Sequence, residues 1–114
     1  KIRELVRKNK VQDGLCSLYV PHTTAGILIN ENADPSVAQD ILNELGRLIP
    51  WNGHYQHQEG NAAAHIKSSI IGSSEIVFIE AGELVLGTWQ GVYLAEFDGP
   101  RQRNVWVKFL VTGK

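Results

Sequence analysis

The chain has no methionine, one cysteine and four prolines in 114 residues. A single thiol, Cys16, cannot form an internal disulfide, so no covalent staple holds the fold. Cys16 lies in the apolar run LCSLYV, where a free cysteine behaves as a small hydrophobe. Such sparse cysteine usage fits a reducing, cytoplasmic setting. No apolar stretch approaches the roughly 20 residues a membrane-spanning helix needs, and no secretory leader is expected. Neither sign of charge dominates: 11 basic side chains face 12 acidic ones, for a net charge of -1. That balance gives no electrostatic basis for nucleic acid or an anionic membrane as the main partner. Linkers, internal repeats and low-complexity segments are also missing. Because the chain opens on Lys1 without any methionine, some N-terminal sequence is expected to have been trimmed, processed or omitted.

What remains is an ordinary globular composition, 43% hydrophobic and 20% charged, and a length that suits one domain over residues 1–114. In KIRELVRKN the spacing of Ile2, Leu5 and Val6 predicts a short helix closed by the Asp13-Gly14 turn. LCSLYV reads as a strand ended by Pro21, and ILI, after Gly26, as a second. Asp34-Pro35 is a helix start, with Asp as cap and Pro at the first helical position. Val37, Ile41, Leu45 and Leu48 carry that helix to Pro50. A His-rich loop follows, then a third helix, NAAAHIKSSIIG, capped by Asn61 and closed by Gly72. The remaining runs, SEIVFIEA, ELVLGT, GVYLAEFDG and NVWVKFLVT, read as strands close enough to pair mainly antiparallel. The predicted class is α+β, a mostly antiparallel β-sheet with two or three helices in one compact domain.

Four histidines are present, and three of them, His54, His57 and His65, fall within twelve positions. His22 opens a Thr-rich turn, His57 lies in the loop and His65 on the following helix. Imidazole is the commonest protein ligand for zinc, and ligands drawn from separate elements with one position left open are how catalytic metal sites are built. Glu59, two residues after His57, suits a supporting or proton-accepting role. The spacing matches neither a zinc finger nor a helical His-x3-His pair, so on spacing alone locally hydrogen-bonded histidines are the stronger reading.

Other polar clusters carry alternatives of the same kind. NENADP packs Asn30, Glu31, Asn32 and Asp34 together. Asp34 has a sufficient job as a helix cap, whereas Glu31 and Asn32 could line a pocket or hold a hard cation such as Mg²⁺. In HIKSS, Lys67, Ser68 and Ser69 offer donors for phosphate oxygens, or form a solvated helix face. GTWQG reads as a turn around a packed Trp89. In EFDGPRQR, Glu96 and Asp98 share a face, and Arg101 and Arg103 could clamp an anion or flank a charged hairpin turn.

HTTAGILINENADPSV, HxEGNAAAHIKSSIIGSSE and GELVLGTWQGVYLAEFDGPR together resemble the YjbQ-like family, described as secondary thiamine-phosphate synthase. The resemblance runs from Asp13 onward in the same order. It implies small cytoplasmic proteins that assemble as homotrimers, with a large, mostly antiparallel sheet. It places the family's polar positions on His22, Glu31, Asn32, Asp34, His57, Glu59, His65, Lys67, Ser68, Thr88, Gln90, Glu96 and Arg101, and leaves out His54. Family members usually carry a strand ahead of the helix with which this chain opens; its absence would expose a sheet edge.

The implied reaction joins hydroxymethylpyrimidine diphosphate to a thiazole phosphate and releases pyrophosphate. Such an enzyme must neutralise the diphosphate and position the two reactants. On this reading His22, His57 and His65 hold a divalent metal, zinc at the histidines, with Mg²⁺ accompanying the diphosphate. Lys67, Ser68, Arg101, Asn32, Thr88 and Gln90 bind substrate and phosphate. Glu59, Glu96, Glu31 and Asp34 are the carboxylates near the chemistry. Two alternatives stand beside it: a metal-dependent hydrolase or lyase acting on another small phosphorylated metabolite, and a non-catalytic trimeric metabolite-binding module.

Overall fold

The computed structural model describes residues 1–113. Three helices and six strands follow one another as α1 (Ile2–Lys8), β1 (Gly14–Tyr19), β2 (Ala25–Glu31), α2 (Pro35–Leu48), α3 (Ala62–Ile71), β3 (Ser74–Glu80), β4 (Glu83–Val85), β5 (Gln90–Glu96) and β6 (Trp106–Val111). All strand pairs are antiparallel, and the α+β class is as expected. The strands divide into a four-stranded sheet of order β4-β3-β1-β6 and a separate two-stranded ribbon, β2-β5. Two strands are shorter than their apolar runs suggested: β4 stops at Val85 and β6 starts at Trp106. No described helix is long and apolar enough to cross a membrane.

β1 is the central strand. Cys16 sits opposite Val77 on one side and Phe109 on the other. Cys16, Leu18, Val77 and Ile79 point to one face, where they join Val6, Val11, Leu84 and the start of β2, Ala25 and Ile27, in the core. Cys16 is fully buried, as its apolar setting implied, and burial pushes its thiol pKa up. The other face of the sheet is apolar too. Val85, Phe78, Leu15 and Leu110 form one row across all four strands, and Ile76, Tyr19 and Trp106 extend it. Phe78 is 58% exposed and Trp106 60%. Continuous apolar runs such as IVFI are the mark of strands covered on both faces; the described residues cover only one of them.

α2 starts where Asp34 Oδ1 accepts the Ser36 N–H at 2.9 Å, with Pro35 in the first turn. It lies over the β2-β5 ribbon with none of its residues fully buried, leaving an apolar cleft of about 250 Å³ lined by Ala38, Ile41, Leu45, Leu28 and Phe97. Asn61 does not cap α3 with its side chain. Its Nδ2 instead donates to Asp98 at 2.8 Å.

The end of α3 joins the two sheets. Gly72, at φ 99°, closes the helix by donating to the Ser68 carbonyl, a left-handed conformation that suits glycine. Its own carbonyl accepts the Ile27 N–H at 3.0 Å, and the next carbonyl, of Ser73, accepts the Val20 N–H at 2.8 Å. The end of β1 and the start of β2 are thus both bonded to one corner. The approach requires glycine at position 26 as well, because a Cβ there would sit 2.8 Å from the Gly72 oxygen. Gly26→Ala is therefore expected to destabilise the protein by about 1–3 kcal/mol through overpacking against backbone, measured as a lower urea midpoint with an unchanged slope.

Candidate functional site

Between Val20 and Ala25 the chain turns through Pro21, His22, Thr23 and Thr24, and the corner at Gly72-Ser73 holds both ends of that turn. The same corner sets α3 alongside it. A cavity of about 340 Å³ results, lined by His22, Thr23, Ala25, His65, Ser68, Ser69, Gly72 and Ser73. His65 and Ser68 come from one helical face, three residues apart. Ser68 is 7% exposed, and its hydroxyl finds no hydrogen-bond partner among the described residues. His22 Nε2 accepts the backbone N–H of Asn104 at 2.9 Å.

His57 reaches the same region from the loop. Its ring meets that of His65 edge-to-face, with centroids 5.2 Å apart, and its Nε2 lies 3.7 Å from Glu59 Oε1. Among the described residues no group of three or more His, Cys, Asp or Glu side chains converges on a single ion position. Imidazole and carboxylate are donor types that zinc accepts, but His57, His65 and Glu59 are not gathered around one ion position among the described residues.

Glu96, Asp98 and Arg101 belong to an adjoining ion network. It is centred on Arg103, which the sequence offered with Arg101 as an anion clamp and which the family resemblance left out of the site positions. Arg103 Nε donates to Glu96 Oε1 at 2.6 Å, and its Nη2 donates to Glu96 Oε2 and to Thr24 Oγ1 at 2.9 Å. The Arg103 side chain is 8% exposed. Asp98 accepts from Arg101 and from Asn61, and donates its N–H to Glu96. EFDGPRQR is therefore no hairpin turn: β5 pairs with β2, and β6 with β1. The segment crosses between the two sheets, pinned by these charges. Arg103, foremost by hydrogen bonding, holds the Glu96 carboxyl down to about 2. A carboxylate so clamped stays ionised and is a poor proton acceptor; Glu59 instead lies beside His57. Arg103 was hard to find in sequence because its partners stand seven and seventy-nine positions away.

The other nominated residues lie elsewhere. Glu31, Asn32, Thr88 and Gln90 gather at the far end of the ribbon, about 20 Å along β2 from His22 at the usual strand rise. There the Glu31 carbonyl accepts the Tyr93 hydroxyl at 2.6 Å, Asn32 N–H donates to the Trp89 carbonyl, and Gln90 Oε1 accepts the Gly87 N–H. Asp34 caps α2 just beyond. Lys67 is on α3 but does not line the histidine cavity, and His54 is exposed in the loop.

The sequence model described as "UPF0047 protein YjbQ-like" matches residues 1–112. The chain belongs to the YjbQ-like UPF0047 family. It is 57% identical over 105 residues to a UPF0047 protein of Methanocaldococcus jannaschii, covering 92% of this chain and 76% of that protein. It is 47% identical to the UPF0047 protein YugU of Bacillus subtilis, covering 96% and 84%. Among solved structures, an uncharacterised YjbQ/UPF0047 protein of Clostridium acetobutylicum superposes with a TM-score of 0.93 at 54% identity, covering 96% of this chain and 84% of that one. A family protein of unknown function from Sulfolobus solfataricus gives 0.90 at 32% identity, covering 96% and 80%. This UPF0047 fold thus persists at sequence distances where most side chains have changed.

The Glu96–Arg103 pair sets a pH dependence. The carboxyl is depressed in the folded state, so its contribution to stability is full above the ordinary value of 4.5 and is lost as pH falls toward about 2. The stability advantage of the wild type over Glu96→Gln should therefore be constant at neutral pH and shrink across that acid window in pH-resolved denaturation. Arg103→Ala, which strands the carboxylate, is expected to cost about 2–3 kcal/mol at pH 7.

Proposed function

We propose that this chain is a metal-assisted transferase of the thiamine-phosphate-synthase type, joining hydroxymethylpyrimidine diphosphate to a thiazole phosphate with loss of pyrophosphate. The supporting observation is the cavity in which His22 and His65, from separate elements, face a serine-rich wall. His57 and His65 would hold a divalent ion, zinc by the nature of the donors. Such an ion supplies Lewis-acid stabilisation of a diphosphate leaving group. Glu59 would orient His57; the thiazole nitrogen forms the new bond to carbon as the carbon–oxygen bond to diphosphate breaks, so the step needs no base. Ser68 binds phosphate from the wall, and Arg101 and Lys67 contribute positive charge from its surroundings. Glu96 acts through Arg103 by keeping the crossing segment in place.

The same reading includes a homotrimer. The radius of gyration is 16.2 Å, against about 13 Å for a compact chain of this length, and the outer sheet face is apolar and exposed. Only a neighbouring subunit could bring Glu31, Asn32, Thr88 and Gln90 to the histidine cavity.

Pyrophosphate release should require both substrates together. Release from the pyrimidine diphosphate alone would favour a hydrolase, and ligand binding without turnover would favour a binding module. Native protein should carry about one equivalent of zinc or a similar metal per chain, lost in His57→Ala, His65→Ala; a metal-free wild type would refute the metal assignment. In sedimentation velocity the wild type should run as a trimer. The Phe78→Glu, Trp106→Glu variant should run smaller while keeping its far-UV circular dichroism. A wild type that is monomeric at every concentration would overturn the assembly.

A further inference from the structure

The histidine cavity is walled by the His22 turn on one side and by α3, with His65, Ser68 and Ser69, on the other. His22 Nε2 accepts a hydrogen bond from the Asn104 N–H at 2.9 Å. A nitrogen that accepts carries no proton, so the imidazole is neutral and its proton sits on Nδ1. Its lone pair is engaged by backbone, and what it has left to offer is one N–H donor. Ser68, on the facing helix, is 93% buried by its 7% exposure, and its hydroxyl has no hydrogen-bond partner among the described residues. Buried hydroxyls are nearly always hydrogen-bonded, so an exception calls for an absent acceptor or donor. A serine hydroxyl is one rotamer step from each of three directions. Ser69 differs, because its hydroxyl already donates to the His65 carbonyl at 2.8 Å. Among the described residues no carboxylate lines this cavity, so no side chain in its wall carries a negative charge.

We infer that His22 Nδ1–H and Ser68 Oγ–H form an oxyanion subsite that takes a phosphate group of the substrate, and that His22 is not a metal ligand. The subsite deepens the phosphorylated-substrate reading above and rests on it. His22 is locked in its tautomer by Asn104, so the donor is presented without the rotational freedom of a lysine.

The test uses inorganic pyrophosphate as the probe, in calorimetric titrations of the full chain with its metal content measured alongside. The amide nitrogen of asparagine replaces Nδ1 of histidine, whereas the glutamine amide falls where Nε2 was. His22→Asn therefore keeps the donor and loses the contact to Asn104; His22→Gln keeps an acceptor for Asn104 and loses the donor. Pyrophosphate affinity should stay within about threefold of wild type in His22→Asn and fall about tenfold or more in His22→Gln and in Ser68→Ala, the range for a hydrogen bond to a charged group. Metal content should be unchanged in all three. The opposite order for the two His22 variants would make His22 a structural brace for Asn104 and overturn the subsite. Loss of metal on His22 substitution would overturn it too, as would undiminished binding in Ser68→Ala. Should a His22 variant fail to fold, the Ser68→Ala titration and the ¹⁵N shifts of His22 in the wild type still decide: an unprotonated Nδ1 refutes the donor. If pyrophosphate binds as described and no transfer occurs with the two precursors, the subsite stands and the transferase reading falls. If transfer occurs and the variants bind normally, the reverse holds.

Discussion

Two backbone hydrogen bonds at the end of α3 hold the molecule's parts in register. The carbonyls of Gly72 and Ser73 accept from Ile27 and Val20, so a single corner ties the ribbon to the four-stranded sheet. Buried backbone groups must be paired, and this corner pairs groups that neither sheet could satisfy alone. Gly26 permits the approach and Gly72 permits the turn. The consequence is local: the His22 turn is caught between the two bonded residues, and α3 is laid beside it. The cavity is a by-product of how the sheets are joined.

A second constraint works on the opposite flank. Arg103 bridges Glu96 at the end of β5 and Thr24 in the His22 turn, and so fastens the crossing from β5 to β6. The next residue, Asn104, then presents its N–H to His22. Charge pairing and tautomer selection are consecutive steps along one segment. Arg103, which holds the Glu96 carboxyl low by hydrogen bonding, thereby ties β5 to the crossing segment, while Glu59 and the edge-to-face rings of His57 and His65 lie outside that pair.

The chain also carries surface that its own residues do not cover. The outer face of the sheet is as apolar as the inner one, and α2 lies over its cleft without burying a single side chain. Both features were legible as patterns. Continuous apolar runs in β3 and β6 speak of two covered faces, and the amphipathic repeat of α2 speaks of one. Neither pattern names what does the covering, because hydrophobic burial is non-directional.

Local chemistry by itself determined much of this protein. Asp34-Pro35 started α2, Gly72 ended α3, and alternation around Cys16 chose the buried face of β1, since caps, left-handed glycine and strand pleat act within a few residues. The long family-like segments also pointed to His57, His65 and Ser68. Tertiary structure alone decided the rest. It separated the strands into two sheets, turned Asn61 from helix cap to Asp98 partner, and gave Arg103 its role. It also parted Glu31, Asn32, Thr88 and Gln90 from the histidines by the length of a strand. Contacts between residues far apart in the chain, such as His22 and Asn104 at a separation of eighty-two positions, leave no trace in spacing, because they depend on where two sheets come to rest against each other and not on any periodicity along the chain.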